Sequence, residues 1–354
     1  MEGTLITLQE LGVSAEFPLP KRSDWGIGMV GFGGIARTSH APAYKNAGWK
    51  IVAVADPDEK ARTLAKDEFG VEHVYADYHE LIEDPAVEVI DLLTQPSVRE
   101  EVLLAAARVG KPIITEKPLT QNPDEGVRMV AVAEKAGITF GVHQNYRWMT
   151  MNYLARQIVE RGIIGDPFFV SIEIFGTQDR DLAGHHFYSV CDNFLTIQWN
   201  NHLADLVRYW TGRDAKRVFA RTGRSNGQNF VSDNLLSVIH DLGDGLTGHI
   251  LHSELVRSGL TGVECRIDGA KGTLLFDFHS TMRISSDFTG KGVHTLDVKE
   301  HEFRESFIGS MADFLCAIED GREPVVSARR NLATVRTFLA EHESARRGGA
   351  WVEV

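Results

Sequence analysis

The sequence predicts an α/β protein: an N-terminal doubly wound parallel sheet, then an α+β domain with a large, mostly antiparallel open sheet. Three observations predict this. Short apolar runs alternate with helical patterns from Asp24 to about His143. A glycine-rich turn, Gly31-x-Gly33-x-x-Ala36, joins the first run to the first helix. After about Tyr146 the alternation stops, and strand follows strand through turns such as Leu-Gly-Asp-Gly-Leu at 242–246.

In chain order, strands are expected at 26–31, 50–55, 88–93, 112–115 and 138–142. Helices fall between them at 35–47, 58–68, 78–83, 97–109 and 124–136, with Pro42 interrupting the first. A helix at 152–160 leads through Gly162 and Gly165 into a strand, Pro-Phe-Phe-Val-Ser-Ile-Glu-Ile-Phe-Gly. A long polar segment, 177–193, precedes a helix over 199–210. Strands follow at 217–224, 235–242, 246–256, 264–268, 273–278 and 282–286. Helices at 306–319 and 327–346 close the chain. The domains are therefore expected at 24–145 and 146–354, behind an extension over 1–23. Pro18 and Pro20 read that extension as an extended arm suited to packing on a partner subunit.

The 354 residues are 43% hydrophobic and carry a net charge of −12, which argues against nucleic acid and anionic membranes as partners. No apolar run approaches a membrane span, and the N-terminus lacks the pattern of a signal peptide. Cys191, Cys265 and Cys316 are odd in number and widely spaced, which fits a reducing, cytoplasmic setting. No His, Cys or Asp cluster has metal-ligand spacing, so no metal is expected.

Ligands of doubly wound sheets sit beyond the carboxyl ends of the strands. The first such end is Gly31-Phe32-Gly33-Gly34-Ile35. Gly31 permits the tight turn, Gly33 clears room for a pyrophosphate, and Ala36 lets the helix pack closely. The helix N-terminus supplies free N–H groups and a positive dipole end. Asp56 ends the second strand, where a carboxylate accepts ribose hydroxyls and repels a 2′-phosphate. This favours NAD over NADP. Asp56 before Pro57 equally fits a helix N-cap. Further strand ends are Thr94-Gln95-Pro96, Glu116-Lys117-Pro118, and the stretch from His143 to Arg147 that includes Asn145. A Lys at position 117 would reach a substrate hydroxyl and stabilise a developing alkoxide; read alone, it also fits a surface loop. Lys117–Pro118 is a candidate cis bond.

At this point the chain resembles the glucose–fructose oxidoreductase / inositol dehydrogenase / MocA-like (Gfo/Idh/MocA) family. The matching stretches are 31–36, 53–58, 106–120, 140–148, 162–167, 201–212 and 344–349. The resemblance implies a Rossmann domain, an α/β domain with an open sheet, and NAD(P)-linked oxidation of a secondary hydroxyl on a sugar or cyclitol. It implies dimers or tetramers built on that sheet. Lys117 matches the family's active-site lysine and His202 its acid/base histidine. Asp205, one turn on, matches an orienting acid. Thr94 and Pro96 match the segment under the nicotinamide, and Asn145 and Arg147 the exit toward the substrate.

Two departures stand out. Many members carry Asp where this chain has Gln198, which can hydrogen-bond a hydroxyl but cannot act as a base. Arg99 replaces a frequent His. His185 and His186 lie in the polar segment, where one could supply the missing proton acceptor or both could be solvated. The aromatic residues Tyr146, Trp148, Phe187, Tyr188 and Trp199 suit the CH faces of a sugar ring, though most such residues are core. The expected substrate contacts are Lys117, Arg147, Trp148, His185, His186, Gln198, Trp199 and His202. The reading is an NAD-dependent dehydrogenase acting on a ring hydroxyl of a sugar, glycoside or cyclitol, with His202 as base and Lys117 as hydroxyl clamp. Two alternatives accompany it: an NAD-retaining lyase or hydrolase with transient oxidation, for which Asp192 and Tyr188 could serve, and a non-catalytic dinucleotide sensor.

Overall fold

The computed structural model describes residues 4–184, 190–298 and 303–354. The chain forms two compact units, each discontinuous in sequence. One comprises residues 17–148 and 302–335, the other 1–16, 149–301 and 336–354. Composition changes along the chain mark the passage near 145. They do not register the later return of 302–335 to the first unit.

The first unit holds a six-stranded parallel sheet in the order His73–Tyr75, Lys50–Ala55, Gly26–Val30, Val89–Leu92, Ile113–Glu116, Phe140–His143. Gly26–Val30 is buried at every residue, as a central strand covered by helices on both faces must be. The chain winds outward from this strand in one direction, then in the other. The switch point therefore lies between Gly26–Val30 and Val89–Leu92, where this fold class opens a ligand crevice. The edge strand His73–Tyr75 is three residues long, too short for its period to register in sequence.

The helix after the glycine turn starts with a π-helical stretch, Ala36–His40, and continues as Ala41–Asn46. The Ala41 N–H reaches back to the Ala36 carbonyl, which widens the turn just before Pro42. The proline thus sits in the first turn of the α-helical part, where its missing N–H costs nothing. Glu305–Asp320, from the second sequence segment, packs on Asn145–Trp148. Gly309 is required there: a Cβ would come within 2.7 Å of Trp148.

The second unit is built on a ten-stranded sheet, ordered Thr4–Ile6, His294–Leu296, Met282–Ser286, Gly272–Phe276, Gly262–Gly269, Pro167–Phe175, Thr247–Ser253, Leu235–Asp241, Arg217–Gly223, Val352–Glu353. Only Thr4–Ile6 with His294–Leu296, and Pro167–Phe175 with Thr247–Ser253, pair in parallel. The N-terminal segment thus adds an edge strand to the chain's own sheet. Leu235–Asp241 alternates exposed or half-buried positions with buried Leu236, Val238 and His240, so one face of the sheet is covered. Helix Asn200–Thr211 lies on that face, with Trp210 edge-on to Phe276 at 5.2 Å. No helix among the described residues is long and apolar enough to cross a membrane.

Candidate active site

The glycine turn of the first unit has the form its sequence predicts. Gly31 adopts a φ of 93°, and a Cβ there would meet the Leu93 carbonyl at 3.1 Å. Only glycine fits that approach. Gly33 and Gly34 differ: both are exposed, and a Cβ at either would meet nothing within 4 Å. Their smallness serves no packing need inside the protein and leaves room for a ligand at the helix N-terminus. The Thr94 hydroxyl, across the switch point, is buried with no hydrogen-bond partner in the protein. An open glycine cradle and an orphaned hydroxyl on the same strand ends fit a bound dinucleotide.

Asp56 ends Lys50–Ala55. One carboxylate oxygen accepts the Phe32 N–H at 2.7 Å and the other the Asp58 N–H at 2.9 Å. The N-cap of the next helix is Asp58, not Asp56: its side chain accepts the Lys60 N–H. Asp56 thus braces the glycine turn while remaining half-exposed beside it.

Gln95 is exposed and Pro96 half-buried. Arg99 explains how this loop is held. It is 3% exposed, and its Nε and Nη2 donate to the Thr94 carbonyl at 3.1 and 2.8 Å. Its Nη1 donates to the Pro118 carbonyl. One guanidinium therefore ties the Thr94 loop to the Lys117 turn, and burial lowers its pKa to about 10. Lys117–Pro118 is cis, as the sequence suggested.

Glu116 is the residue sequence reasoning undervalued. One carboxylate oxygen accepts the Lys117 N–H at 3.0 Å and the other faces His40 Nε2 at 3.0 Å. His40 Nδ1 lies 3.1 Å from Asp91 Oδ2, and Asp91 Oδ1 lies 3.0 Å from His143 Nε2. The Tyr44 hydroxyl donates to Asp91 at 2.8 Å, and Ser310 lies 2.9 Å from His143 Nδ1. His40, Asp91 and His143 thus bring three metal-ligand-type atoms within 4.8 Å. Three of the four histidine nitrogens face a carboxylate oxygen each and the fourth, His143 Nδ1, faces the Ser310 hydroxyl, which is the geometry of a hydrogen-bonded network. Burial pulls the His40 pKa down, but Asp91 and Glu116 overcome it and raise it to about 9. Burial pushes Asp91 and Glu116 upward, and their histidine partners hold both below the usual carboxylate range. Burial lowers the Lys117 pKa, with Glu116 opposing.

Asn145 and its neighbours form a short 3-10 turn. Its amide donates to Ser306 at 2.9 Å. Arg147 is buried and donates to the Val325 carbonyl at 2.7 Å. Trp148 is buried edge-on to Phe17 at 5.8 Å.

In the second unit, the helix bearing His202 is entered through another π-helical stretch, Phe194–Trp199. His202 and Asp205 are 6% and 1% exposed, one turn apart. Gln198 is half-buried. The Trp199 indole N–H donates to Gln178 Oε1 at 3.0 Å, and its ring meets His252 edge-on at 5.2 Å and His202 at 6.4 Å. His252 is in turn hydrogen-bonded to Glu254 at 2.7 Å. Asn200, two residues before His202, donates to Glu341, which also pairs with His240. This segment therefore gathers Gln198, Trp199, His202 and Asp205. His185 and His186, with Phe187 and Tyr188, lie outside the described residues.

Comparison with known proteins places this arrangement. Residues 25–144 match the model of the Gfo/Idh/MocA oxidoreductase family, NAD-binding Rossmann fold, and residues 153–275 match the family's C-terminal domain. D-apiose dehydrogenase from Paraburkholderia graminis is 25% identical over 340 residues, covering 90% of this chain and 87% of its own. Myo-inositol 2-dehydrogenase from Thermotoga maritima is 27% identical, covering 85% of this chain and 90% of its own. Among solved structures, an oxidoreductase from Agrobacterium radiobacter with NAD+, L-tartaric acid and magnesium superposes with a TM-score of 0.86 at 24% identity, covering 93% of this chain and 98% of its own. Levoglucosan dehydrogenase with NADH and levoglucosan gives 0.81 at 20% identity, covering 94% and 99%. With a glycine cradle of the required form, a Lys117 turn at the sheet's carboxyl edge and both domain models matched in order, the chain belongs to the Gfo/Idh/MocA family of NAD-dependent oxidoreductases.

Proposed function

We propose that this enzyme oxidises a secondary ring hydroxyl of a sugar, glycoside or cyclitol, with Lys117 as hydroxyl clamp and His202 as the base. The observation that carries the reading is the Lys117 turn. It ends Ile113–Glu116 at the sheet edge where the fold binds NAD, and Arg99 and Glu116 fix it in place. The names of the relatives, D-apiose and myo-inositol dehydrogenases, support a polyol substrate.

Gly31–Ile35, Asp56, Thr94–Pro96, Glu116 and Asn145 would hold the dinucleotide, whose nicotinamide supplies the hydride acceptor. Lys117, as ammonium, would hold the substrate hydroxyl and stabilise the oxygen as negative charge develops there. His202 would take the hydroxyl proton; an imidazole with an ordinary pKa of about 6.5 is suited to that near neutrality. Gln198 would contribute a hydrogen bond in place of the acid that many members have. Trp199, its indole held by Gln178, offers a face to the CH side of a ring. The chain would work as a homo-oligomer through the ten-stranded sheet, whose uncovered side exposes Leu235 at 37% and Ile239 at 36%. A cytoplasmic setting fits the three free cysteines.

The test is His202→Ala. Turnover should fall about 10²–10⁴-fold, the usual contribution of a general base, while NADH affinity, followed by fluorescence, stays within about twofold. Unchanged turnover would remove His202 from the mechanism.

A further inference from the structure

We propose that His40 is a positioning residue for Lys117, acting through Glu116. As an imidazolium it holds Glu116 as a carboxylate, and Glu116 in turn fixes the Lys117 backbone and balances its ammonium charge. The inference rests on the dehydrogenase reading only in the use to which Lys117 is put.

With both carboxyl groups ionised, the geometry calls for the imidazolium. His40 has each ring nitrogen within 3.1 Å of a different carboxylate, Asp91 and Glu116, and is fully buried. A carboxylate only accepts, so both nitrogens must donate, and only the cation has two N–H groups. A neutral ring would turn one lone pair against an anion in a fully buried site. Asp91 is the anchor: Tyr44, one turn on from His40 along the same helix, and His143, from strand Phe140–His143, both hold it in place beside His40. Glu116 then reaches Lys117 through a main-chain hydrogen bond one residue long, leaving no slack.

Among the described residues, Glu116 and Arg99 act on Lys117; Glu116 in turn feels His40 and His143, His40 and Tyr44 meet Asp91, and Arg99 feels Glu125. Arg99 and burial both favour a neutral amine, and Glu116 is what opposes them. Losing the Glu116 charge would move Lys117 further toward the free amine. The effect of His40 on Lys117 passes through one carboxylate, so the two should behave as a single unit.

The experiment uses the full-length protein and trace labelling by acetic anhydride across a pH series, read on the Lys117 peptide by mass spectrometry. Labelling follows the free amine and needs no turnover. Glu116→Gln keeps an acceptor for the Lys117 N–H but removes the charge; the Lys117 midpoint should fall by about one pH unit or more, the usual effect of an adjacent opposite charge. His40→Gln should lower it similarly, and the double variant should add little. Folded variants with an unmoved midpoint would overturn the proposal. So would nitrogen-15 histidine spectra of the wild type showing His40 as a neutral ring at neutral pH, a readout that needs no variant. A shifted midpoint in a protein that forms no NADH would uphold the positioning role and refute the dehydrogenase reading; an unmoved midpoint in an active dehydrogenase would do the reverse.

Discussion

Arg99 shows at the scale of one residue what sequence can and cannot convey. In the sequence it is a departure from the family pattern with no mechanistic account. In the structure it is a staple: one buried guanidinium serves the carbonyls of Thr94 and Pro118, which belong to two strand ends. Arg99→Ala would leave both carbonyls without that partner, and each buried unsatisfied group costs about 1–3 kcal/mol. The variant should lose more than about 2 kcal/mol of unfolding free energy in urea. An unchanged urea midpoint would show that the staple is not needed. Lys117 itself was legible because Glu-Lys-Pro follows an apolar run. His40, Asp91 and His143 were not, because the network joins residues 51, 52 and 76 positions apart. Periodicity does not register contacts of that kind. The signal available was Asp91 and His143, polar residues in otherwise apolar strands.

At the scale of elements, the parallel strands and their helices could be read within a few residues, since buried strands and amphipathic helices each leave their own period. What sequence missed was short or irregular. His73–Tyr75, Thr4–Ile6 and Val352–Glu353 are edge strands of two or three residues, held by pairing with a neighbour rather than by their own pattern. The π-helical stretches before His202 and around His40 have no periodic signature at all. The glycine turn gives the cleanest test at this scale, because its glycines serve different ends. Gly33→Val adds atoms where the protein has none, so thermal stability should hold while NAD affinity, by calorimetry, falls at least tenfold. Gly31→Ala puts a Cβ against the Leu93 carbonyl in a left-handed conformation and should destabilise the fold by about 1–3 kcal/mol. Equal behaviour of the two variants would contradict this division.

At the scale of the molecule, the sequence conveyed two architectures in order. It did not convey that residues 302–335 rejoin the first unit, because a helix that crosses back looks like any other helix. The buried His40–Asp91 pair gives the first unit a pH signature. The His40 pKa is raised from 6.5 to about 9 on folding, so its stabilisation is complete below pH 6.5 and is lost as pH rises through about 9. Asp91 is depressed, so its share is present above its ordinary value of 3.8 and is lost only in more acidic solution. Stability measured by denaturant at successive pH values should therefore decline between pH 6.5 and 9, and His40→Gln should flatten that limb. A flat wild-type profile across this range would show that His40 gains no proton affinity on folding.

The most direct measurement of the central claim is NADH formation by the purified protein with NAD and a panel of aldoses, inositols and alkyl or aryl glycosides, in parallel with NADP. The account predicts NADH from one class of ring polyol, with NAD preferred. No NADH from any of them, with NAD still bound by calorimetry, would contradict net dehydrogenation and turn the reading to a retained-cofactor lyase or a dinucleotide sensor.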